Sequence, residues 1–337
     1  MKLGIIGTCY NMGISHIAWG FAEHFDSKTL LYHYKPFHPF PERFENSKMV
    51  TKMPTDEDLD WLLDGIDCLL TIETPYNWSV YKKAKEKGVK TILMPMFEWL
   101  NRSNPALKYV DLFICPSKTT YEKIEGNKIE VPSEVPIDLK KFKPRKVKKA
   151  KTFLHNAGHG GMFGRNATKE LVEAFCNVKS NIKLLVNTQN PLNKVIHPKI
   201  EYREKNYRNY WEMYGEGDVY ILLGKYGVAY LGIQEAMAAG MPIAFTDMEP
   251  FNTYLPKEML IKPGVVNQGT IYAGQKEAVA EFDTAHITER IDEIAQMDLR
   301  PFQKRSLELA KERSWDVWQP KYLKIFEDLC ENSGKKT

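Results

Sequence analysis

The hydrophobic positions of the chain follow two alternating patterns. Short continuous apolar runs, as at 3–7, are typical of buried strands, whereas apolar residues three or four apart, as in 13–24, are typical of helices that cover a sheet. The pattern predicts strands at 2–8, 29–34, 67–72, 91–94, 111–115, 152–158, 183–186, 218–222 and 242–245. It predicts helices at 13–24, 55–63, 117–125, 166–175, 231–239, 285–298, 300–312 and 322–329, and one that ends before Gly88. Strands that alternate with helices predict parallel sheets, so the predicted fold class is α/β with Rossmann-like units.

Length and charge add two expectations. A chain of 337 residues is long enough for two domains of ordinary size, each with its own core. The formal net charge is +4, but the segment from Lys140 to Lys151 contains eight basic residues and no acidic one. We interpret this basic strip as a solvated connector between domains; the alternative is a surface that contacts phosphate groups or a membrane.

The cysteines and the lack of a long apolar run bear on location. The five cysteines are scattered, odd in number and without metal-ligand spacing, which favours reduced thiols. No apolar run reaches the length of a transmembrane helix, and 3–7 is too short for the core of a signal peptide. We therefore expect a cytoplasmic protein.

One acidic motif has two interpretations. Asp56 and Asp58 form an Asp-x-Asp pattern, which some metal-dependent enzymes use to hold Mn²⁺. Thr55 directly precedes them, however, and acidic residues in a first turn stabilise the positive end of a helix dipole. We interpret the pair as a helix start, and we predict no metal ligands anywhere in the chain.

Two carboxylates follow successive predicted strands. Glu73 comes directly after the strand at 67–72, and Glu98 follows the strand at 91–94. The carboxyl ends of parallel strands are rigid and their loops carry the chemistry of α/β enzymes. Both residues are candidates for the functional site, and Glu98 is the stronger one. The alternative is a structural carboxylate.

A glycine-rich turn leads from a strand into a helix. It contains Gly158, His159, Gly160, Gly161 and Arg165. Glycines let the backbone approach an anion, the start of the helix offers unpaired N–H groups, and an arginine adds a forked charge. The turn is therefore a candidate phosphate site; the alternative is a purely structural turn.

Two segments resemble a known family. EAMAAGMPI, which begins at Glu235, resembles the donor-binding motif of GT-B glycosyltransferases, and family 4 of that group most of all. LHNAGHGGMFGRN, which ends after Arg165, is similar to the donor loop of bacterial enzymes of that family. The resemblance implies a GT-B fold, in which two Rossmann-like domains with parallel sheets face an interdomain cleft.

The resemblance also implies roles in binding a nucleotide diphosphate sugar. Glu235 matches the glutamate that holds the nucleotide ribose, and Gly227 stands eight residues earlier, where the family has a glutamate that contacts the sugar. Arg165 matches the arginine that holds the donor diphosphate. Lys169 corresponds to a lysine usually placed one residue further on. The segment from Asn187 to Gln189, which follows the strand at 183–186, is a candidate contact of the base.

The resemblance assigns the first domain to the acceptor. It implies an acceptor domain over 1–145, a donor domain over 146–315 and a last helix over 316–332 that returns to the first domain. On the acceptor side, Gly13 and His16 follow the first strand, and Glu73 and Glu98 follow later strands. Glu98 is then the residue expected to contact or deprotonate the acceptor hydroxyl.

Together these features predict a hexosyltransferase that uses a nucleotide diphosphate sugar, with a UDP-sugar as the expected donor. Family 4 implies retention at the anomeric carbon without a bound metal. The acceptor is a glycan, a lipid or modified DNA. Two alternatives stay open: a glycosyltransferase acting on hydroxymethylated DNA bases, which the basic strip suggests, and a catalytically silent GT-B binding or scaffold protein, which Gly227 suggests.

Overall fold

The computed structural model describes residues 1–133, 135–158, 164–227, 229–271 and 276–331. The chain divides into two units. Unit 1 comprises Met1–Pro136 and the C-terminal segment that begins at Arg313, and unit 2 comprises Ile137–Glu312. No helix in the described ranges combines the length and the apolar character needed to cross a bilayer.

The strands are β1 (Leu3–Gly7), β2 (Ser27–Tyr32), β3 (Ser47–Val50), β4 (Cys68–Ile72), β5 (Lys90–Met94), β6 (Leu112–Cys115), β7 (Lys128–Glu130), β8 (Thr152–Gly158), β9 (Lys183–Thr188), β10 (Ile200–Glu204), β11 (Val219–Leu222), β12 (Ile243–Thr246), β13 (Leu260–Ile261), β14 (Val265–Thr270) and β15 (Lys276–Glu281). The α-helices are α1 (Gly13–His24), α2 (Asp56–Leu63), α3 (Ser79–Glu86), α4 (Lys118–Lys123), α5 (Thr168–Phe175), α6 (Leu231–Ala238), α7 (Thr284–Gln296), α8 (Arg300–Glu312) and α9 (Trp315–Glu331). Short 3-10 turns lie at Pro41–Arg43, Pro105–Tyr109, Leu139–Lys141, Tyr210–Gly215, Phe251–Thr253 and Lys257–Met259.

Unit 1 contains a seven-stranded parallel sheet in the order β3-β2-β1-β4-β5-β6-β7. All residues of β1 and β4 are buried, as their apolar sequences require. Strand order reverses at β1, so the connections after β1 and β4 run to opposite sides and leave a crevice at the carboxyl ends of these strands. We call residues 8–12 and 73–78, which border this crevice, the unit 1 switch point.

Unit 2 contains a six-stranded parallel sheet in the order β10-β9-β8-β11-β12-β13, and β14 and β15 form a separate antiparallel ribbon. Helices α5 and α7 contribute Phe175 and Ile291 to the core that covers Phe153 of β8. Here the order reverses at β8, so the crevice lies between the connections after β8 and β11. We call residues 164–167 and 223–230 the unit 2 switch point. The predicted α/β class with two Rossmann-like sheets is confirmed.

The acidic motif at the start of α2 caps the helix. The Thr55 side chain accepts a hydrogen bond from the Asp58 backbone N–H, and the Asp58 carboxylate accepts one from the Thr55 N–H at 2.9 Å. Asp58 also pairs with Lys48 at 2.7 Å, and Asp56 pairs with Lys83 at 3.5 Å. The Lys48 ammonium is the main cause that holds the Asp58 pKa below its usual range. The interpretation of this motif as a helix start is confirmed.

The predicted strand at 29–34 is wrong at its carboxyl end, because β2 stops at Tyr32. The backbone N–H groups of Tyr34 and Lys35 donate to the hydroxyl of Tyr10, at 2.8 and 2.9 Å, and not to a neighbouring strand. A buried tyrosine side chain thus ends the strand, which apolar patterning does not reveal.

Helix α9 packs within unit 1 against α1. Trp315, Tyr322 and Phe326 surround Phe21, with ring centroids 5.3, 5.0 and 6.4 Å away. The ring of His24 stacks on Trp315 at 4.1 Å. The C-terminal segment is therefore part of the core of unit 1.

The basic strip from Lys140 to Lys151 is tied to unit 2. Arg145 donates to the Gly215 carbonyl at 2.6 Å and to the Asp218 carboxylate at 2.5 Å. Asp218 also accepts the backbone N–H groups of Lys151 and Thr152, both at 2.9 Å. Asp218 thus positions the end of the strip beside the start of β8.

Candidate functional site

The unit 2 switch point brings Arg165 against the loop that opens α6. The guanidinium donates to the Ala229 carbonyl at 2.7 Å and to the Tyr226 carbonyl and Tyr230 hydroxyl, both at 3.2 Å. It also lies over the Tyr230 ring, 4.2 Å from its centroid. These contacts hold a cation in a fixed position where a strand meets a helix, which is a suitable place for an anion.

Gly227 lies in this same loop and has φ of 103°. Side chains other than glycine rarely adopt this backbone conformation. The backbone conformation of the loop therefore favours the glycine found where the family motif has a glutamate. A glutamate in this conformation would be strained.

Glu235 lies one turn into α6 and is only 3% exposed. Its carboxylate accepts a hydrogen bond of 2.5 Å from the hydroxyl of Tyr214, which is also buried. Burial, and then the Glu235 carboxylate, raises the pKa of Tyr214 well above its usual range, so the phenol remains a donor at neutral pH. A buried carboxylate of this kind is a strong acceptor for ligand hydroxyl groups.

The structure also brings Gly158 and Gln189 together. The Gln189 backbone N–H donates to the Gly158 carbonyl at 2.8 Å, where β8 and β9 end side by side. Gly158 has φ of 60°, a left-handed conformation that favours glycine. His159, Gly160 and Gly161, the other predicted donor-loop residues, lie outside the described residues.

The two lysines near α5 have different surroundings. The Lys169 side chain is 84% exposed and pairs with Glu173 at 3.8 Å, one turn along the helix. Lys225 instead lies in the unit 2 switch point, where its backbone N–H donates to the Arg165 carbonyl at 2.8 Å and its ammonium pairs with Glu170. The structure thus brings Lys225, which the sequence analysis missed, to Arg165. A lysine three residues past a strand end was the available sequence clue.

Two further polar side chains lie at strand ends in unit 2. Asn187 at the end of β9 is 2% exposed, and Thr246 at the end of β12 is fully buried. Within the described part of the chain, neither the Asn187 amide nor the Thr246 hydroxyl has a hydrogen-bond partner. Buried polar groups without a partner are rare in native proteins, so a bound ligand is one explanation. Asn187 belongs to the segment predicted from the sequence to contact the base, and position at a strand end is the feature that could have identified Thr246.

His155 connects the elements around the site. Its Nδ1 donates to the Ile221 carbonyl of β11 at 3.0 Å, and its Nε2 accepts from the Thr168 hydroxyl at the start of α5 at 2.9 Å. The neutral ring fits both bonds, since the Ile221 carbonyl can only accept and the Thr168 hydroxyl can donate to an unprotonated Nε2. Burial lowers the pKa of His155 to about 4, which agrees with that state.

In unit 1, the predicted acceptor-side residues lie at the carboxyl ends of the three adjacent strands β1, β4 and β5. Gly13 begins α1 after β1, and half-buried His16 lies one turn further along. Glu73 directly follows β4 and has φ of 62°. Glu98 follows β5 and is 1% exposed. Because β1, β4 and β5 are neighbours, these four residues lie on the same side of the sheet, at the carboxyl ends of its strands.

No group of three or more histidine, cysteine, aspartate or glutamate side chains is arranged to hold a metal ion in the ranges that the structure describes. Unit 2 instead offers the Arg165 guanidinium, the Lys225 ammonium beside Glu170, and the buried Glu235 carboxylate on α6. The two cations can stabilise a phosphate group, and the carboxylate can accept hydrogen bonds from hydroxyl groups.

No protein-family model matches the sequence, and no curated protein matches it. Solved structures, however, share the fold over nearly the whole chain. Sucrose-phosphate synthase from Thermosynechococcus elongatus matches with a TM-score of 0.67 and 12% identity, over 98% of this chain and 99% of its own. HepE from Anabaena, solved with UDP and glucose, matches with a TM-score of 0.69 and 10% identity, over 97% of this chain and 100% of its own.

A third match, from the GtfA/B complex, has a TM-score of 0.56 and 12% identity; it covers 81% of this chain, which spans 59% of that longer one. These structural neighbours are GT-B glycosyltransferases, so the fold of this protein is the GT-B fold. At such low identity the similarity concerns the fold, and the resemblance to family 4 rests on the sequence motifs.

Proposed function

We propose that this protein transfers a hexose from a nucleotide diphosphate sugar to an acceptor hydroxyl, with retention at the anomeric carbon and without a metal. One observation carries the proposal. Arg165 is hydrogen-bonded to Ala229 and Tyr230 at the switch point of one parallel sheet, directly before α6, and α6 carries the buried Glu235 that pairs with Tyr214. Ligands of open α/β sheets bind at such points, and the fold is that of GT-B glycosyltransferases.

Glu235 is proposed to hold the ribose of the nucleotide. A carboxylate offers about four acceptor positions, so accepting from Tyr214 is compatible with accepting from ribose hydroxyl groups as well. Burial strengthens such hydrogen bonds because water competes less for them. Tyr214 would fix the orientation of the carboxylate before the ligand binds.

Arg165 and Lys225 are proposed to stabilise the diphosphate. The negative charge on the diphosphate grows as the bond to the sugar breaks, and fixed cations stabilise it most at that moment. In the retaining reaction the leaving phosphate oxygen takes the proton of the acceptor hydroxyl as the new bond to the anomeric carbon forms. The protein then supplies position and charge and needs no nucleophile of its own.

Gln189 and Asn187 are proposed to contact the base. Gln189 lies beside Gly158 at the carboxyl ends of β8 and β9. Asn187 has a buried amide with no hydrogen-bond partner in the described ranges. An amide can both donate and accept, which suits the polar edge of uracil. HepE, whose fold is similar, was solved with UDP, and this supports a UDP-sugar as the donor here.

Glu98 and Glu73 are proposed to serve the acceptor, with Gly13 and His16 on the same edge of unit 1. Glu98 would contact the hydroxyl that receives the sugar. The burial of Glu98 supports a fixed position for its carboxylate. No atom lies within 4 Å of the point where a Cβ would extend from Gly13, so there is space for a ligand near the start of α1.

Binding of UDP tests the donor site. Glu235→Gln keeps the size of the side chain but removes its charge, so it should weaken UDP binding by about 1–3 kcal/mol, the range for a hydrogen bond to a charged group. Isothermal titration calorimetry with UDP measures this, and circular dichroism checks the fold.

Glu308→Gln is the matched control, since Glu308 is a surface carboxylate on α8 of the same unit. It should leave UDP affinity unchanged. Equal affinities in wild type and Glu235→Gln would remove Glu235 from the site. A mass-spectrometric screen of nucleotide sugars then identifies the donor, because the transferase cleaves it and a silent GT-B protein does not.

A further inference from the structure

The unit 1 switch point contains a backbone feature that the proposed chemistry of the donor does not explain. Glu73 and Tyr76, three residues apart after β4, have φ of 62° and 60°. Side chains other than glycine rarely adopt such angles, and the cost is greatest for a bulky residue such as tyrosine. Backbone strain of this kind concentrates at functional sites, and here it lies at the crevice where ligands of such sheets bind.

Three tyrosine rings, Tyr32, Tyr34 and Tyr76, pack together at this strained loop, and we call them the aromatic platform. Tyr34 is 43% exposed, and its ring stacks on that of Tyr32 with 4.9 Å between centroids. Tyr76 packs against both rings, 5.6 Å from Tyr34 and 5.1 Å from Tyr32. The Tyr10 hydroxyl fixes the base of the platform by accepting the N–H groups of Tyr34 and Lys35. These hydrogen bonds hold the backbone that carries the Tyr34 ring.

Charged groups of both signs border the platform. The Lys35 ammonium lies over the Tyr34 ring, 5.4 Å from its centroid. Burial raises the pKa of Tyr34 to about 12, and the nearby Glu73 carboxylate contributes to the shift. Burial, then Tyr34 and then Glu73 raise the pKa of Tyr76 well above its usual range. At Lys35, burial lowers the pKa and the Glu73 charge acts in the opposite direction. Glu73 itself lies directly after β4 in the strained loop, three residues before Tyr76.

We propose that this surface binds a sugar ring, and that the acceptor in the proposed reaction is a carbohydrate. That the bound sugar is the acceptor rests on the proposed function, whereas the sugar-binding site itself is argued from unit 1 alone. The C–H groups of a sugar ring carry partial positive charge and pack on the negative face of an aromatic ring. Glu73 accepts hydrogen bonds from sugar hydroxyl groups, and Lys35 donates to them.

The same features disfavour the other acceptor classes. The Glu73 carboxylate repels the phosphates of a nucleic acid. A lipid chain gains nothing from a carboxylate and an ammonium at the edge of the platform, since burying either charge is costly. A neutral polyhydroxylated ring satisfies the stacking surface and both charged groups at once.

Saturation-transfer NMR of the full chain tests the site. The probes are methyl glycosides of glucose, galactose, mannose and N-acetylglucosamine, added without any nucleotide. At least one should receive saturation at its ring protons. Tyr34→Ala should weaken its binding about tenfold, whereas Tyr34→Phe, which keeps the ring, should retain it. Glu73→Gln should also weaken binding, because it removes the charged acceptor.

Tyr121→Ala and Glu86→Gln are the matched controls. Lys128 lies over the Tyr121 ring at 4.5 Å, and Glu86 is an exposed carboxylate on α3. Neither should change sugar binding. Absence of saturation with every glycoside, or unchanged binding in Tyr34→Ala and Glu73→Gln, would overturn the proposal.

Calorimetry with UDP on the same samples separates this inference from the proposed function. Binding of UDP without binding of any glycoside leaves the donor site intact and removes the sugar site. Binding of a glycoside without UDP supports the sugar site and removes the donor assignment.

Discussion

At the scale of single residues, the candidate donor site depends on side chains that each make a contact within the protein. Arg165 holds Tyr226, Ala229 and Tyr230, and Glu235 accepts from Tyr214. Such contacts fix a functional group in one orientation, so that little entropy is lost when the ligand binds. The same contacts mean that a substitution can act through the loop as well as through the ligand.

Arg165→Ala should lower the transfer rate by about a hundredfold or more, the scale lost with one charge donor in a transition state. Arg165→Lys should recover only part, because an ammonium cannot make the forked contacts to the Ala229 and Tyr226 carbonyls. Initial rates with the donor found by the cleavage screen measure both effects.

Arg300→Ala is the control, since Arg300 is an exposed arginine on α8 that pairs with Asp298. Hydrogen exchange of residues 226–230 separates the two roles of Arg165. If Arg165→Ala speeds exchange in this loop and leaves the rate of transfer unchanged, Arg165 acts only on the structure.

His155 should make stability depend on pH. Its pKa is about 4 in the folded protein and about 6.5 when unfolded, so the unfolded state binds the extra proton first. The contribution is fully present above pH 6.5 and is lost as the pH falls towards 4. Lowering the pH from 8 to 5 should therefore reduce the free energy of unfolding by about 2 kcal/mol through His155.

Urea unfolding at pH 8, 6.5 and 5 checks this expectation. His155→Gln keeps a donor and an acceptor but does not titrate, so its stability should fall less over the same range. His38→Gln, which alters an exposed histidine of unit 1, should follow the wild type. Equal pH dependence in wild type and His155→Gln would show that another group is responsible.

At the scale of elements, patterning predicted those segments whose burial is complete or strongly one-sided. The structure confirms α1 at 13–24, β8 at 152–158 and α8 at 300–312 within the predicted bounds. The exposed strands were missed: β14 reads VVNQGT, with nearly every residue exposed, so no apolar run or alternation marks it. Its pairing with β15 is a backbone property that hydrophobicity does not record.

The predicted helix at 166–175 begins two residues later, at Thr168, for a local reason. Ala167 adopts a left-handed conformation with φ of 44°, which is incompatible with a helical turn.

Contacts between distant segments were equally hidden from the sequence. Tyr214 lies 21 residues before Glu235, and the two meet because the turn at Tyr210–Gly215 packs beneath α6. Motifs thus predicted candidate ligand-binding residues, whereas the side chains that support them required the fold.

At the scale of the whole molecule, the distribution of charge supports our proposal of sugar transfer without a metal. The leaving diphosphate needs positive charge, which Arg165, Lys225 and the N–H groups at the start of α5 are proposed to supply. Asp56 and Asp58, the Asp-x-Asp pair in the sequence, are occupied with Lys83, Lys48 and the cap of α2. Freeing Asp58 for a metal would break the capping box, at a cost of about 1 kcal/mol or more.

We therefore expect that EDTA leaves the rate of sugar transfer largely unchanged, and that Asp58→Asn lowers the stability of unit 1 without affecting transfer. Initial rates after dialysis against EDTA, with and without added Mn²⁺ or Mg²⁺, measure the first expectation, and thermal unfolding measures the second. Complete loss of transfer in EDTA, restored by either ion in wild type but not in Asp58→Asn, would reject the metal-free mechanism. It would identify Asp58 as a ligand, since loss of a helix cap alone cannot make activity depend on a metal.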